Sequence, residues 1–173
     1  AHEDYLHCFQ KVYSHADYVT INISSPNTPG LKSLQHGEML KSIIGPIMIE
    51  RERQSDKINK SIPIVVKISP DLELDELKAI IDDLISLKVD GVIATNTTVT
   101  RDNLLNDKDV KEEGGLSGKP LFQTSTEIVK HIYQHAGDRL PIIAVGGIFS
   151  SEDAKAKLAA GAKLVQLYSG MIY

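Results

Sequence analysis

The residues best equipped for chemistry in this sequence stand where aliphatic runs end. INISSPNTPGL, at 21–31, passes from alternating apolar and polar positions into two serines, a second asparagine and two prolines. Pro26 and Pro29 cannot continue ladder pairing, so Asn22, Ser25 and Asn27 fall at or just beyond a strand end, on backbone of restricted shape. PIVVKIS, at 63–69, holds Lys67 inside a strand, where an unpaired ammonium is costly and must meet an anion or a strong acceptor. A nearby carboxylate would answer it with a salt bridge. A flavin ring would answer it too, because reduction builds negative charge around N1 and the C2 carbonyl and a fixed cation there favours the reduced state. ATNTT, at 94–98, brings one amide and three hydroxyls to another strand end, enough to read a polar heterocycle or to make an ordinary turn.

Glycine-bearing strand ends form a second group. PIIAVGGIFSSEDA, at 141–154, ends a strand in Gly146 and Gly147 and starts a helix within a few residues, so exposed amides are available to an anion. KLVQLYSG, at 163–170, ends the next strand in Tyr168, Ser169 and Gly170. Tight turning is the other use of such glycines. Two consecutive sites of this kind favour phosphate, since the ends of neighbouring late strands are where β/α barrels commonly hold it. EEGGLSGKPL, at 112–121, is a third glycine-rich loop, expected to lie against a cofactor ring or close over one.

Other chemistries find no support. His131 and His135 have helical i, i+4 spacing, but no Glu follows the first and no cysteine partners exist, so an exposed helix face is expected and no metal site. No Gly-x-Ser-x-Gly elbow surrounds any serine. A formal charge of -4 argues against a nucleic-acid partner. Cys8 is the single cysteine, which excludes an internal disulfide. The opening AHEDYLHCFQ has no signal-peptide character, and no apolar run approaches the roughly 20 residues of a membrane-spanning helix.

These residues need elements to position them. β-branched runs at 17–24, 63–69, 91–96, 141–147 and 163–169 predict five strands. Between them lie helix-period segments, clearest at 72–88, where Leu74, Leu77, Ile81, Leu84 and Ile85 share a face. A second stripe runs through Ile128, Val129, Ile132 and Tyr133, and Ser150 with Asp153 forms a capping box before a short helix that Gly161 closes. Strand and helix alternate, which predicts an α/β fold with parallel pairing. Val19, Ile21 and Ile23 oppose Thr20, Asn22 and Ser24, and in the next strand Ile64, Val66 and Ile68 oppose Val65, Lys67 and Ser69. One face is aliphatic and the other turns polar towards its C-terminal end, as in a barrel with its site at the mouth rather than an open sheet covered on both faces. No G-x-G-x-x-G follows any strand, which agrees. The expectation is a (β/α)8 TIM barrel present as an incomplete C-terminal portion, 1–173 forming one domain truncated at both ends.

In order along the chain, INISSPNTPGL, VVKISPD, GVIATNTT, GGLSGKPL, PIIAVGGI and LVQLYSG resemble the dihydroorotate dehydrogenase family. Ser25 resembles the quinone-dependent class 2 branch, since class 1 places cysteine there. The resemblance implies an FMN-dependent barrel enzyme that oxidises dihydroorotate to orotate in pyrimidine biosynthesis and passes electrons to a membrane quinone. It implies Ser25 as the base that takes the C5 proton, with Asn22, Asn27, Asn96 and Thr97 holding the substrate. Asn22, Lys67, Thr95, Gly118, Gly147, Tyr168 and Ser169 would bind FMN, the last three at its phosphate end. Serine is a poor base, so a relaying water or hydroxyl must assist it.

The family's N-terminal membrane-associating helices and first barrel strands have no counterpart in these motifs. The expectations are therefore peripheral attachment to the inner membrane through that other part, on the bacterial cytoplasmic or the mitochondrial inner membrane, and a fragment inactive alone that dimerises or aggregates. Two alternatives stay open: a flavin- or phosphate-binding half-barrel without catalysis, and a related FMN-dependent pyrimidine oxidoreductase.

Overall fold

The structure, a computed structural model, describes residues 2–26, 32–35, 37–101, 104 and 113–173. Helix α1 (His2–Val12) leads into four strand–helix units and a fifth strand: β1 (Val19–Asn22), α2 (Gly37–Ile58), β2 (Ile64–Ile68), α3 (Leu74–Ser86), β3 (Gly91–Ala94), α4 (Phe122–Ala136), β4 (Ile142–Val145), α5 (Ser151–Ala159) and β5 (Leu164–Gln166). All neighbouring strands pair in parallel and lie in the order β1-β2-β3-β4-β5. An open doubly wound sheet reverses its strand order at a switch point. Here nothing reverses, and right-handed crossovers taken always in one direction put every connecting helix on the same side. The architecture is α/β, an arc of TIM-barrel type.

Burial follows that geometry. Ile21, Ile64, Val66, Ile68, Val92, Ala94, Ile142 and Ala144 pack against the helices in one continuous core with Leu40, Ile44, Leu77, Ile81, Val129 and Ile132. The opposite face holds only a small separate cluster of Val65, Ile93 and Val145, with Ile143 packed beside it. Asn22 and Lys67 are register partners on that second face, as the sequence alternation requires. Arg51 of α2 reaches Asp90 Oδ2 at 2.6 Å, and the same oxygen accepts from Ile64 N at 2.8 Å, which ties helix, β2 and β3 together at the end of the sheet away from the mouth.

The helix expected at 72–88 begins at Leu74, because Glu76 Oε2 accepts from Glu73 N at 3.0 Å and caps it there. Its buried face is Leu77, Ile80, Ile81 and Leu84; Leu74 is largely exposed, so the expected stripe is corrected by replacing Leu74 with Ile80. The box before α5 is present, with Asp153 N donating to Ser150 Oγ at 3.1 Å and Ser150 N to Asp153 Oδ2 at 3.0 Å. Gly161 follows α5 at φ +116°, and a Cβ there would lie 2.2 Å from Tyr133 Cγ. Tyr133 is partly exposed and packs over this turn rather than in the core stripe.

Candidate active site

At the C-terminal end of β1, Asn22 leaves the sheet with its amide oxygen fully committed. Oδ1 accepts from Asn96 Nδ2 at 3.1 Å, from Ser24 Oγ at 3.1 Å and from Ser24 N at 3.3 Å. Asn96 Nδ2 also donates to Ser24 Oγ at 3.0 Å, and Asn96 Oδ1 accepts from Thr97 N at 2.9 Å. Three side chains from two strand ends therefore lock one another, which leaves Asn22 Nδ2 as a free-facing donor of known orientation. Tyr5 of α1 holds the same corner by donating to Asn22 O at 2.8 Å.

The end of β3 is fixed from below. Thr95 N donates to Val145 O at 3.1 Å and Asn96 N to Ile68 O at 2.8 Å, after a cis peptide between Ala94 and Thr95. Asp71, beyond β2, accepts from Thr98 Oγ1 and from Val99 N, the latter at 3.0 Å. Thr98 pairs with Leu116 in an isolated antiparallel bridge, which brings the glycine-rich loop over the mouth. Its contact is close: a Cβ on Gly115 would lie 2.0 Å from Thr97 Oγ1.

Gly146 and Gly147 turn after β4 at φ +120° and +73°, values that only glycine adopts without strain. The end of β5 lies against the same loop, since a Cβ on Gly170 would sit 2.1 Å from Ile148 O. Ser117 and Ser169 hydroxyls meet at 3.1 Å and link the glycine-rich loop to this corner. A cavity of about 250 Å³ opens among these strand ends. Lys67, Thr95, Gly118, Gly147, Tyr168 and Ser169 all line it, and Asn96 and Thr97 lie at the same cavity. The structure thus brings together six of the seven residues expected at a cofactor; the seventh, Asn22, joins through Asn96.

Lys67 makes no hydrogen bond or ion pair with any described residue, so the carboxylate alternative is not met among them. Burial holds its amine below the usual lysine range. Gln166 Oε1, on the wall of the same cavity, is buried without a hydrogen-bond partner. A group offering both an acceptor and a donor fits between them. Ser25 is half-buried beside the locked Asn22–Ser24 corner, and Asn27 lies outside the described residues. Sequence reasoning missed Ser24, Ser117 and Gln166. His135 pairs with Asp82 at 2.8 Å instead of joining His131, and no group of metal ligands occurs among the described residues.

The sequence model of the family described as dihydroorotate dehydrogenase matches residues 1–173. The chain belongs to that family. A "Dihydroorotate dehydrogenase (quinone)" of Cupriavidus pinatubonensis is 50% identical over 173 residues, covering 100% of this chain and 50% of the relative. One of a Marinomonas species is 53% identical over 170 residues, 98% of this chain and 49% of the relative. A crystal structure of DHODH from Eimeria tenella in complex with ferulenol superposes with a TM-score of 0.93 at 38% identity, covering 100% of this chain and 50% of that one. The chain spans about half the length of the dihydroorotate dehydrogenases it matches.

Proposed function

We propose that this chain supplies the carboxy-terminal half of a quinone-dependent dihydroorotate dehydrogenase, with FMN in the cavity at the strand ends and dihydroorotate beneath the glycine-rich loop. The observation that carries the reading is the cavity itself: it gathers Lys67, Thr95, Gly118, Gly147, Tyr168 and Ser169, and it presents an amine and an amide oxygen that have no partner among the described residues. FMN matches it, having ring acceptors for Lys67, a ring N–H for Gln166 and a phosphate for the Gly147, Tyr168 and Ser169 corner. When bound, FMN supplies the two-electron exchange between dihydroorotate and the quinone.

The chain's own residues do the rest. Asn22 presents its Nδ2 donor, whose direction Ser24 and Asn96 fix, to a flat pyrimidine carboxylate, and Asn96 presents the remaining lone pair of its Oδ1. Thr97 adds a hydroxyl and, by the family resemblance, Asn27 adds a further amide. Ser25 holds the position of the base for C5, and its proton must pass onward to a water or hydroxyl because no acceptor among the described residues takes it. Membrane quinone as acceptor places the protein at the inner membrane, peripherally; no helix among the described residues is long and apolar enough to cross a membrane.

Quinone reduction by dihydroorotate tests the reading. The full-length protein that carries this chain should turn over and be inhibited by orotate, and the chain alone should not. Flavin retention by the full-length protein without turnover would leave only a flavin-binding barrel, and turnover of a different pyrimidine in preference would reassign the reaction.

A further inference from the structure

Lys157 of α5 has no exposed surface, although a lysine on a nine-residue surface helix has every route to solvent. Its Nζ donates to Phe122 O at 3.1 Å and to Ser125 Oγ, and it stands 4.8 Å from the centre of the Phe122 ring. Ser125 is also fully buried. Its hydroxyl lies 3.1 Å from Gly146 O, 2.8 Å from Leu121 O and 3.2 Å from Phe122 O. A hydroxyl has one proton; with Lys157 donating to the oxygen, that proton is directed to a carbonyl, and Gly146 O is the one that lies outside α4 and its lead-in.

The two glycines are wedged from the other side. A Cβ on Gly146 would lie 2.8 Å from Ser125 Oγ, and one on Gly147 would lie 2.6 Å from Phe122 N. Burying an amine is costly where an apolar side chain of similar length would pack as well, so its hydrogen bonds to Phe122 O and Ser125 Oγ are what distinguish it from one. We propose that Lys157 is a positioning residue: acting through Ser125 and the Phe122 carbonyl, it fixes the Gly146–Gly147 turn against the first turn of α4 and so shapes the cradle for a phosphomonoester in the cavity. The phosphate's identity rests on the FMN reading above; the brace does not. Burial lowers the amine to about 7 against the opposing pull of Asp153, and it can donate in either protonation state.

The test compares Lys157→Met, Ser125→Ala and the exposed-site control Lys155→Met in the full-length protein, measuring FMN and riboflavin affinity of the apoprotein and hydrogen exchange over 144–149. Both brace variants should weaken FMN about tenfold, the effect of one buried hydrogen bond, while riboflavin, which lacks the phosphate, changes less than about twofold. Exchange over 144–149 should rise in both and stay unchanged over 74–86 and in the control. Equal weakening of FMN and riboflavin, or unchanged exchange over 144–149 in Ser125→Ala, overturns the proposal. Should Lys157→Met not fold, Ser125→Ala decides by the same criteria. A parent protein that binds neither flavin overturns the FMN reading, and the exchange result then decides the brace by itself.

Discussion

Lys67 and Gln166 face one cavity with an amine and an amide oxygen that have no partner among the described residues, and the amine has a consequence for titration. Lys67 is held below the usual lysine range by burial. An anionic or electron-rich partner should raise it again, so FMN binding should take up protons at a pH just below the ordinary lysine value of about 10.4. Calorimetry in buffers of differing ionisation heat should show that uptake, and Lys67→Met should abolish it. Lys157 gives a stability signature instead. Its folded value is near 7 and its unfolded value is the ordinary one, so above pH 7 the unfolded state binds more protons and stability rises with pH. Below about 7 both states carry the proton and this contribution is flat. Among the described residues Asp153 is the one charged group acting on it; α4 contributes Ser125 and a carbonyl, and β5 nothing titratable. Denaturant midpoints from pH 7 to 10 should climb in the parent and climb less steeply in Lys157→Met. Lys67 was legible in the sequence because a charge in a strand is anomalous. Lys157 and Gln166 were not, because a lysine on a polar short helix and a glutamine in a terminal strand both read as solvent-facing.

The strand-to-helix turns decide where these side chains meet. Gly147 combines φ +73° with backbone so close that a Cβ would stand 2.5 Å from Phe122 Cβ. Gly147→Ala should therefore cost roughly 2 kcal/mol or more in urea unfolding and remove the phosphate discrimination, through strain and overpacking together. An unchanged midpoint would contradict the wedge. The Ser150–Asp153 box and the Gly161 stop are legible in the sequence, because each rests on bonding local to a few residues. The start of α3 could not be fixed as well: Leu72 continues the apolar period, and only the Glu73–Glu76 bond shows where the helix begins. α2 was hidden for another reason. Its Gly45-Pro46 pair reads as a breaker, yet Pro46 lies on the exposed side and leaves Leu40, Ile43, Ile44, Ile47 and Met48 free to pack.

At the scale of the molecule, the strand order β1-β2-β3-β4-β5 is what separates a barrel arc from a doubly wound sheet. Side-chain alternation foretold it at Asn22 and Lys67, since polar residues on the inner face near the mouth have no place against a second helix layer. Among the described residues little covers the inner face of the arc: Leu164 and Tyr168 are 61% and 75% exposed, and β1 and β5 each have one unpaired edge. The chain on its own should self-associate, with sedimentation showing mass that grows with concentration; a monomer at every concentration would contradict this. In the proposed full-length enzyme, with relatives about twice this length, the remaining half would cover that face. In the proposed enzyme these strand ends hold FMN over a substrate whose proton Ser25 removes. The most direct measurement is the anaerobic bleaching of flavin absorbance by dihydroorotate, followed by stopped flow in the full-length protein and in Ser25→Ala. The account predicts rapid bleaching in the parent and a loss of at least about 100-fold in Ser25→Ala with flavin content retained, the scale of a lost general base. Absence of bleaching in the parent, or an unchanged rate in Ser25→Ala, would contradict it.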